Sequence, residues 1–362
     1  MKILILGTHP HAHMPSMELY AAWLKQACET EFETHLYKPA PIFFNRFTKS
    51  HKIGKWLKYI DIYIIAPVWL WLVQGRYDFV VAADHGNAPA LGLVSRTRAV
   101  SMMHDVIAIH AALYPQANIY NTGSTGRALQ NWIIRSLKRC RLLFANPGPL
   151  TKNLRDLGIE APIVVLGNPF EPKRLAAVAD AEAASLPARF YLNVGSDDRR
   201  KRKKELLRLW QAFEALDDDT WLILAGKTDD STRRLIETLG LKRVKVLSFV
   251  SDALLAELYR RCAGLTVASS LEGFCIPVVE ALAVGKPVFT PADTPFFTEV
   301  FGDAVEPCLT FDEAGARVLA EAGRAGPGPG YEAARTQVLE TYGWPNFCRL
   351  VTTSLKGLKR GA

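Results

Sequence analysis

Short, uninterrupted apolar runs recur along this chain, and each closes on a turn-forming residue before a stretch with helical spacing begins. The first series is KILILG (2–7), FVVAAD (79–84), AVSMMHD (99–105), RLLFANP (141–147) and IVVLGNP (163–169). The second is FYLNVGS (190–196), WLILAG (221–226), VKVLSF (244–249), LTVASS (265–270) and PVFTPA (287–292). A continuous apolar strand is covered on both faces, which is the condition of a parallel sheet between layers of helix. At 362 residues the chain also exceeds the usual size of a single core. The pattern predicts an α/β protein of two doubly wound, Rossmann-like domains, 1–168 and 169–343. EPKRLAAVADAEAASLPAR (171–189), rich in alanine and charge, reads as the connector.

Ligands of doubly wound sheets lie beyond the carboxyl ends of the strands. The conspicuous polar residues fall there: Asp84 and His85, His104 and Asp105, the basic run after Gly195, and Glu272 after LTVASS. Two such domains facing each other would line a cleft with all of them. In SSLEGFCIPVVEALAVG (269–285), Pro277 suits the start of a helix and Gly285 its C-cap. A helix over 277–284 puts Glu272 in the preceding loop and Glu280 on the first turn. Backbone N–H groups between Phe274 and Val278 would then point out of a helix N-terminus, a natural place for phosphate. Two accounts of the glutamates stand. They neutralise the helix start, as acids commonly do, or they accept hydroxyl hydrogen bonds from the ribose and sugar of a nucleotide compound.

Composition adds little to the fold but narrows the setting. The 49% hydrophobic content is that of an ordinary globular protein. Six scattered cysteines, with no CxxC, look like buried free thiols in a reducing compartment. MKILILG meets Thr8, His9 and Pro10 too early for a signal-peptide core. The net charge of +8 suggests an anionic partner, and its distribution matters more than its total. One concentration is RRKRKK (199–204). Another is Arg46, Lys49, Lys52, Lys55 and Lys58, at a constant step of three along one helix face. YIDIYIIAPVWLWLV (59–73) follows it and is short for a bilayer span. It is either a core element or, with the basic row, a patch over 46–73 that rests on an anionic membrane surface.

The segment 269–305, SSLEGFCIPVVEALAVGKPVFTPADTPFFTEVFGDAV, resembles the most diagnostic stretch of the retaining GT-B glycosyltransferases, glycosyltransferase family four. That pattern is a serine-containing stretch, Glu-Gly-Phe-Gly-x-Pro-x-x-Glu-Ala, a Gly-x-Pro-Val strand and a later Glu-Val-x-Gly-Asp. NVGSDDRRKRKKELLRLWQAF (193–213) resembles the family's Val-Gly-x…Arg-Lys segment and puts Arg200 and Lys201 on its Arg-Lys pair. YDFVVAADHGNAPALGL (77–93) and AVSMMHDV (99–106) resemble the mannosyltransferase-like branch, where Asp-His and His-Asp pairs end these strands. The match is specific over 190–305 and looser over 1–168.

The resemblance implies a GT-B fold whose second domain binds a nucleotide-sugar donor, with a closing helix over 344–360 packed back on the first. Gly195, Arg200, Lys201, Gly273, Phe274, Cys275, Ile276 and Glu280 would contact the donor. Glu280 would hold the ribose, and Arg200 with Lys201 the diphosphate. Glu272 and His104 would be the catalytic pair, with Asp84 and His85 on the acceptor side. A departing nucleoside diphosphate gains negative charge that fixed cations stabilise, so no metal and no other cofactor are expected. Two departures stand out. Cys275 occupies a position where the family has Gly, so a Cβ crowds the sugar phosphate. In THPHAHMPSME (8–18), Pro15 and Ser16 replace a Gly pair. The alternating His9, His11 and His13 lack a carboxylate set for a metal and read as a solvated loop.

The expected activity is sugar transfer to an acceptor hydroxyl with retention, by front-face attack or double displacement. The acceptor would be a glycan or lipid-linked, in cell-envelope polysaccharide or lipopolysaccharide assembly. The enzyme would be cytoplasmic, held peripherally on the inner face of the cytoplasmic membrane. The alternative is a nucleotide-sugar-binding protein of the same fold with little turnover. Nucleic-acid binding by RRKRKK is disfavoured because the run lacks interleaved aromatics. A phosphorylase or epimerase is disfavoured by length and by the lack of a pyridoxal-phosphate lysine motif.

Overall fold

The computed structural model describes residues 1–47, 51–117, 120–170, 175 and 181–360. The chain divides into two compact units, Met1–Pro169 with Trp344–Ala362, and Phe170–Gly343. Among the described residues each unit carries one six-stranded, wholly parallel sheet.

The first sheet is built from β1 (Lys2–Leu6), β2 (Glu33–Tyr37), β3 (Phe79–Ala82), β4 (Ala99–Met103), β5 (Leu142–Ala145) and β6 (Ile163–Val165), in the order β2-β1-β3-β4-β5-β6. Leu4, Leu6, Val80, Ala82, Leu143 and Ala145 share one core with Leu137 and Leu154 of the covering helices. Ile3 and Ile5, on the opposite pleat, are equally buried. Helix Trp344–Arg360 belongs to this unit. Phe347 meets Tyr20 edge-on, Arg141 donates to the Leu358 carbonyl at 2.7 Å, and Lys359 pairs with Asp78 at 3.0 Å.

The second sheet contains β7 (Phe190–Val194), β8 (Trp221–Ala225), β9 (Val244–Leu247), β10 (Gly264–Thr266), β11 (Val288–Pro291) and β12 (Glu306–Leu309), in the order β12-β11-β10-β7-β8-β9. Period-two alternation sorts its side chains between two cores. Phe190, Leu192, Ile223 and Leu265 enter one, whereas Tyr191, Leu222, Leu224 and Phe289 enter the other.

Several sequence expectations are corrected. The sequence pattern does not show the edge strands β2 and β12, because ETHLY and EPCL are broken by polar residues or proline, as sheet edges often are. The run 59–73 is helical and continues the helix His51–Ile60 through a π-helical turn, Asp61–Ile65, into Ala66–Val73. Gly54–Arg76 is thereby long and apolar enough to cross a membrane by length and composition, and a third of it is buried. One side of it (Leu57, Asp61, Ile62, Ala66, Leu70) is buried and the other exposed, so it is neither a core element nor a free one. The basic row does not run along one helix: Arg46 is on Ile42–Phe47 and a new helix begins at His51. Lys49, the side chains of Arg46 and Lys52, and 171–174 and 176–180 of the connector lie outside the described residues. His9 is not solvated. It is fully buried, 3.5 Å from the equally buried Asp61.

Candidate active site

In a doubly wound sheet the binding crevice opens where successive crossovers leave the sheet in opposite directions. In the second unit that point lies between β7 and β10: the chain runs from β7 to β8 and β9 on one side, then returns to β10, β11 and β12 on the other. The loops that follow these two strands, and helix Ile276–Ala283 after the second, carry the sequence-predicted donor residues.

After β7 the backbone turns at Gly195, whose N–H donates to the Ala225 carbonyl at 2.9 Å. Its neighbour Gly226 (φ 122°) must be glycine, because a Cβ there would stand 2.5 Å from the Gly195 carbonyl oxygen. Asp198 then caps the short 3₁₀ turn Arg199–Lys201 by accepting from the Arg200 N–H at 3.0 Å. Arg202 adopts a left-handed conformation (φ 46°) and grips Asp293 through both terminal nitrogens at 2.8 and 3.0 Å. The turn is also bound to the loop after β10. The Arg200 carbonyl accepts from the Ser270 N–H at 2.8 Å, and the Arg200 side chain donates to the Leu271 carbonyl at 2.9 Å.

These contacts bring Glu272 between two cations. Arg200 donates to one carboxylate oxygen at 2.7 Å and Lys201 to the other. The Glu272 side chain is only 5% exposed. Burial pushes its carboxyl up, but Lys201 and Arg200 together outweigh that and hold it below the ordinary glutamate range. The three charges leave one net positive at the mouth of the loop.

Helix Ile276–Ala283 starts one residue earlier than the proline suggested, and Gly285 (φ 73°) follows its end. Glu280 therefore sits on the second turn, not the first, and accepts from Tyr259 Oη at 2.8 Å. Burial and the Glu280 carboxylate push the Tyr259 hydroxyl well above its usual range, so it stays a donor. The residue before the helix, Cys275, lies in the left-handed region (φ 71°, ψ 70°) with no side-chain cap. That is the physical reason a glycine suits this position: the conformation is costly for a residue with a Cβ. Burial pushes its thiol up to about 12, so it is an inert apolar side chain at neutral pH.

The first unit has the corresponding switch point between β1 and β3. Asp84 ends β3's extension, accepts from the Gly86 N–H at 3.2 Å and stands 3.2 Å from His85 Nδ1. His104, after β4, is 5% exposed, and its ring centre lies 6.5 Å from that of His85. His104 Nε2 is 2.8 Å from the Ala83 carbonyl, which can only accept, so the proton resides on Nε2. Nδ1 is left as a buried lone pair without a partner among the described residues. Burial lowers the His104 pKa and keeps the ring neutral.

In the second unit the structure brings Arg200, Lys201 and Glu272 into contact, with Gly195 beside Lys201. Gly273, Cys275 and Ile276 lie at the helix start that follows, Phe274 packs into the core against Phe301 and Tyr342, and Glu280 is bonded to Tyr259. In the first unit Asp84, His85 and His104 lie near one another. Sequence reasoning missed Tyr259, Asp198, Ser270 and the Arg202–Asp293 pair, none of which carries a local signal. It also missed the His9–Asp61 pair, where a lone Asp inside an apolar run was the available clue. Among the described residues no group of three His, Cys, Asp or Glu side chains is placed to hold a metal.

Residues 178–322 match the family model described as Glycosyl transferases group 1. A stretch of 123 residues is 32% identical to the serotype-specific mannosyltransferase WbdA of Escherichia coli, covering 33% of this chain and 15% of that protein. The chain therefore spans a small part of the curated relatives it matches. The sucrose-phosphate synthase of Thermosynechococcus elongatus superposes over 100% of both chains with a TM-score of 0.75 at 16% identity. Anabaena HepE in complex with UDP-glucose superposes over 99% of this chain and 100% of its own, with a TM-score of 0.67 at 17% identity. The fold is GT-B, with two Rossmann-like domains.

Proposed function

We propose that the protein is a retaining glycosyltransferase that moves a sugar from a nucleoside-diphosphate sugar to an acceptor hydroxyl. The observation that carries this is the Arg200–Glu272–Lys201 cluster beside the start of helix Ile276–Ala283, at the sheet's switch point in the part of the chain that matches the Glycosyl transferases group 1 model. A diphosphate needs fixed cations, and this corner offers two of them beside a helix start. The diphosphate takes Arg200 and Lys201, and Glu280 with Tyr259 receives the ribose hydroxyls. The Glu272 carboxylate keeps lone pairs for the hydroxyls of the donor sugar and stabilises positive charge developing at the anomeric carbon. The neutral His104, through its free Nδ1, accepts a sugar hydroxyl, while Asp84 and His85 serve the acceptor. The cations replace a metal at the leaving group.

The pathway is assembly of a cell-envelope glycan on a lipid-linked acceptor at the cytoplasmic face of the membrane. The name of the mannosyltransferase relative and the exposed apolar face of Gly54–Arg76 support it. Thermal shift against UDP, GDP, ADP and TDP identifies the donor base, followed by product analysis with the matching nucleotide sugars and a membrane-lipid extract. A shift with one nucleotide and sugar transfer to lipid are expected. A shift without transfer or donor hydrolysis would establish instead a binding protein, for which the strained Cys275 is the structural motive. No shift with any nucleotide would refute both.

A further inference from the structure

The first unit contains an apolar groove, about 580 Å³ in volume, that the donor and acceptor residues do not use. Its walls are Trp56, Tyr59, Tyr63 and Ile64 from the helix that begins at His51 and its π-helical continuation, and Leu129 and Trp132 from helix Ser124–Leu137. That volume is within the range of pockets that hold small organic ligands, roughly 300–1,000 Å³. The large side chains along it are unusually open to water: Trp56 is 55% exposed, Ile64 58% and Trp132 43%. Tyr63 does not offer a hydroxyl to a guest, because its Oη donates to the Gly86 carbonyl at 3.0 Å. The apolar surface continues along the same helix through Val68, Trp71 and Leu72, at 47%, 56% and 67% exposure. Exposed apolar area of this extent marks a binding surface.

The charge around the groove says what covers it. Between residues 34 and 77 the only acid is Asp61, and between 106 and 155 there is none. Asp61 does not contribute to the surface: it is fully buried, accepts from the Phe43 and Phe44 N–H groups and faces His9. Cations are plentiful in the same segments. Lys55 stands at the rim, its Nζ 5.7 Å from the centre of the Tyr59 ring, and Arg127 and Arg135 are carried by the opposing helix. Asp84 approaches the groove only behind Tyr63, whose hydroxyl is pushed up by burial first and then by Tyr59 and Asp84. A greasy trough with aromatic rims, whose two wall helices contribute cations and no exposed acid, complements one kind of molecule: a hydrocarbon chain with an anionic head.

We propose that this groove binds the hydrocarbon chain of an anionic membrane lipid, with the lipid's phosphate held at the Lys55 rim. The inference deepens the lipid-linked acceptor of the proposed function and rests on it for its biological purpose. The chain enters along the trough and leaves the headgroup at the protein surface, so a single lipid is held individually rather than the helix merely lying on a bilayer. The basic row continues to the N-terminal side of Lys55 in the sequence, through Lys52, Lys49 and Arg46.

The test uses the whole protein and 11-(dansylamino)undecanoic acid, a fluorescent chain with an anionic head. Saturable one-to-one binding is expected, displaced by lysophosphatidylglycerol below its micellar concentration and at least tenfold less well by lysophosphatidylcholine. Ala128→Trp, on the groove wall at an exposed helical position, should weaken probe binding at least tenfold without lowering the melting temperature. Lys55→Glu should abolish the preference for the anionic lysolipid. Failure to bind the probe, or equal affinity in Ala128→Trp, overturns the proposal. So does a concentration-dependent dimer that Ala128→Trp dissociates, since the groove would then be a contact between copies. Nucleotide thermal shifts on the same samples keep the two ideas apart. Nucleotide binding without chain binding sinks the groove alone, and chain binding without nucleotide binding sinks the transferase alone.

Discussion

Replacing Glu272 by Gln keeps the shape of the side chain and removes the one anion between Arg200 and Lys201. Breaking a fully buried ion pair by deleting one partner's charge costs roughly 3–5 kcal/mol, because the other charge is left uncompensated. Here the carboxylate side chain is 5% exposed, whereas those of Arg200 and Lys201 are 23% and 17% exposed, so water recovers part of the loss. Arg200 also keeps the Leu271 carbonyl and its 3.8 Å approach to Asp198. We expect about 2–3 kcal/mol, which for a unit of this size lowers its melting temperature by about 4–12 °C. The pH dependence gives an independent check. The folded-state pKa of Glu272 lies below its unfolded value, so its stabilisation is full above that unfolded value, about 4.3, and is lost as pH falls through the folded one. Between pH 7 and pH 3 the wild type should therefore lose more stability than the Gln variant. With the cations released, nucleoside diphosphate should bind the variant at least as tightly, while turnover falls by roughly 10²-fold or more. Calorimetric melting at several pH values, with and without nucleotide, reads all of this. An unchanged melting temperature together with parallel pH profiles would refute the Arg200–Glu272–Lys201 cluster as drawn.

Glu280→Ala should act in the opposite sense, weakening free nucleotide by roughly 1–3 kcal/mol through the lost ribose acceptor, with Tyr259→Phe milder; titration calorimetry reads it, and equal losses in the Glu272 and Glu280 variants would show that the roles are misassigned. Asp61→Ala removes the acceptor of the Phe43 and Phe44 N–H groups and the buried neighbour of His9, and should cost the first unit about 2–4 kcal/mol in denaturant unfolding without changing nucleotide affinity. If Arg200 and Lys201 hold the diphosphate as proposed, activity should survive EDTA; loss in EDTA with recovery in manganese or magnesium would contradict this.

The architecture was legible because its cause is local. A strand covered on both faces is apolar throughout, and ten such runs stand out between helical stretches, each of them close to a strand of the two sheets. The glycines and prolines that set the loops beside β7 and before helix Ile276–Ala283 are also local signals, since they act through their own backbone angles. What the sequence could not show is which charges meet. Glu272 finds Arg200 and Lys201 some seventy positions away, and the Tyr259–Glu280 bond joins two helices with no shared motif. The helix over 59–73 was ambiguous for a related reason. Periodicity reports that a segment has an apolar side, but burial depends on whether another element covers it. Asp61 turns inward to His9 and two backbone N–H groups, and so removes the one acid that would have marked that face as ordinary protein surface. The sequence determined the strands, the turns and the residue types at the strand ends, because these follow from each residue's own sterics and hydration. Only the tertiary structure decided which carboxylate is paired, which histidine is dry and which apolar face stays open, because each depends on neighbours brought together by the fold.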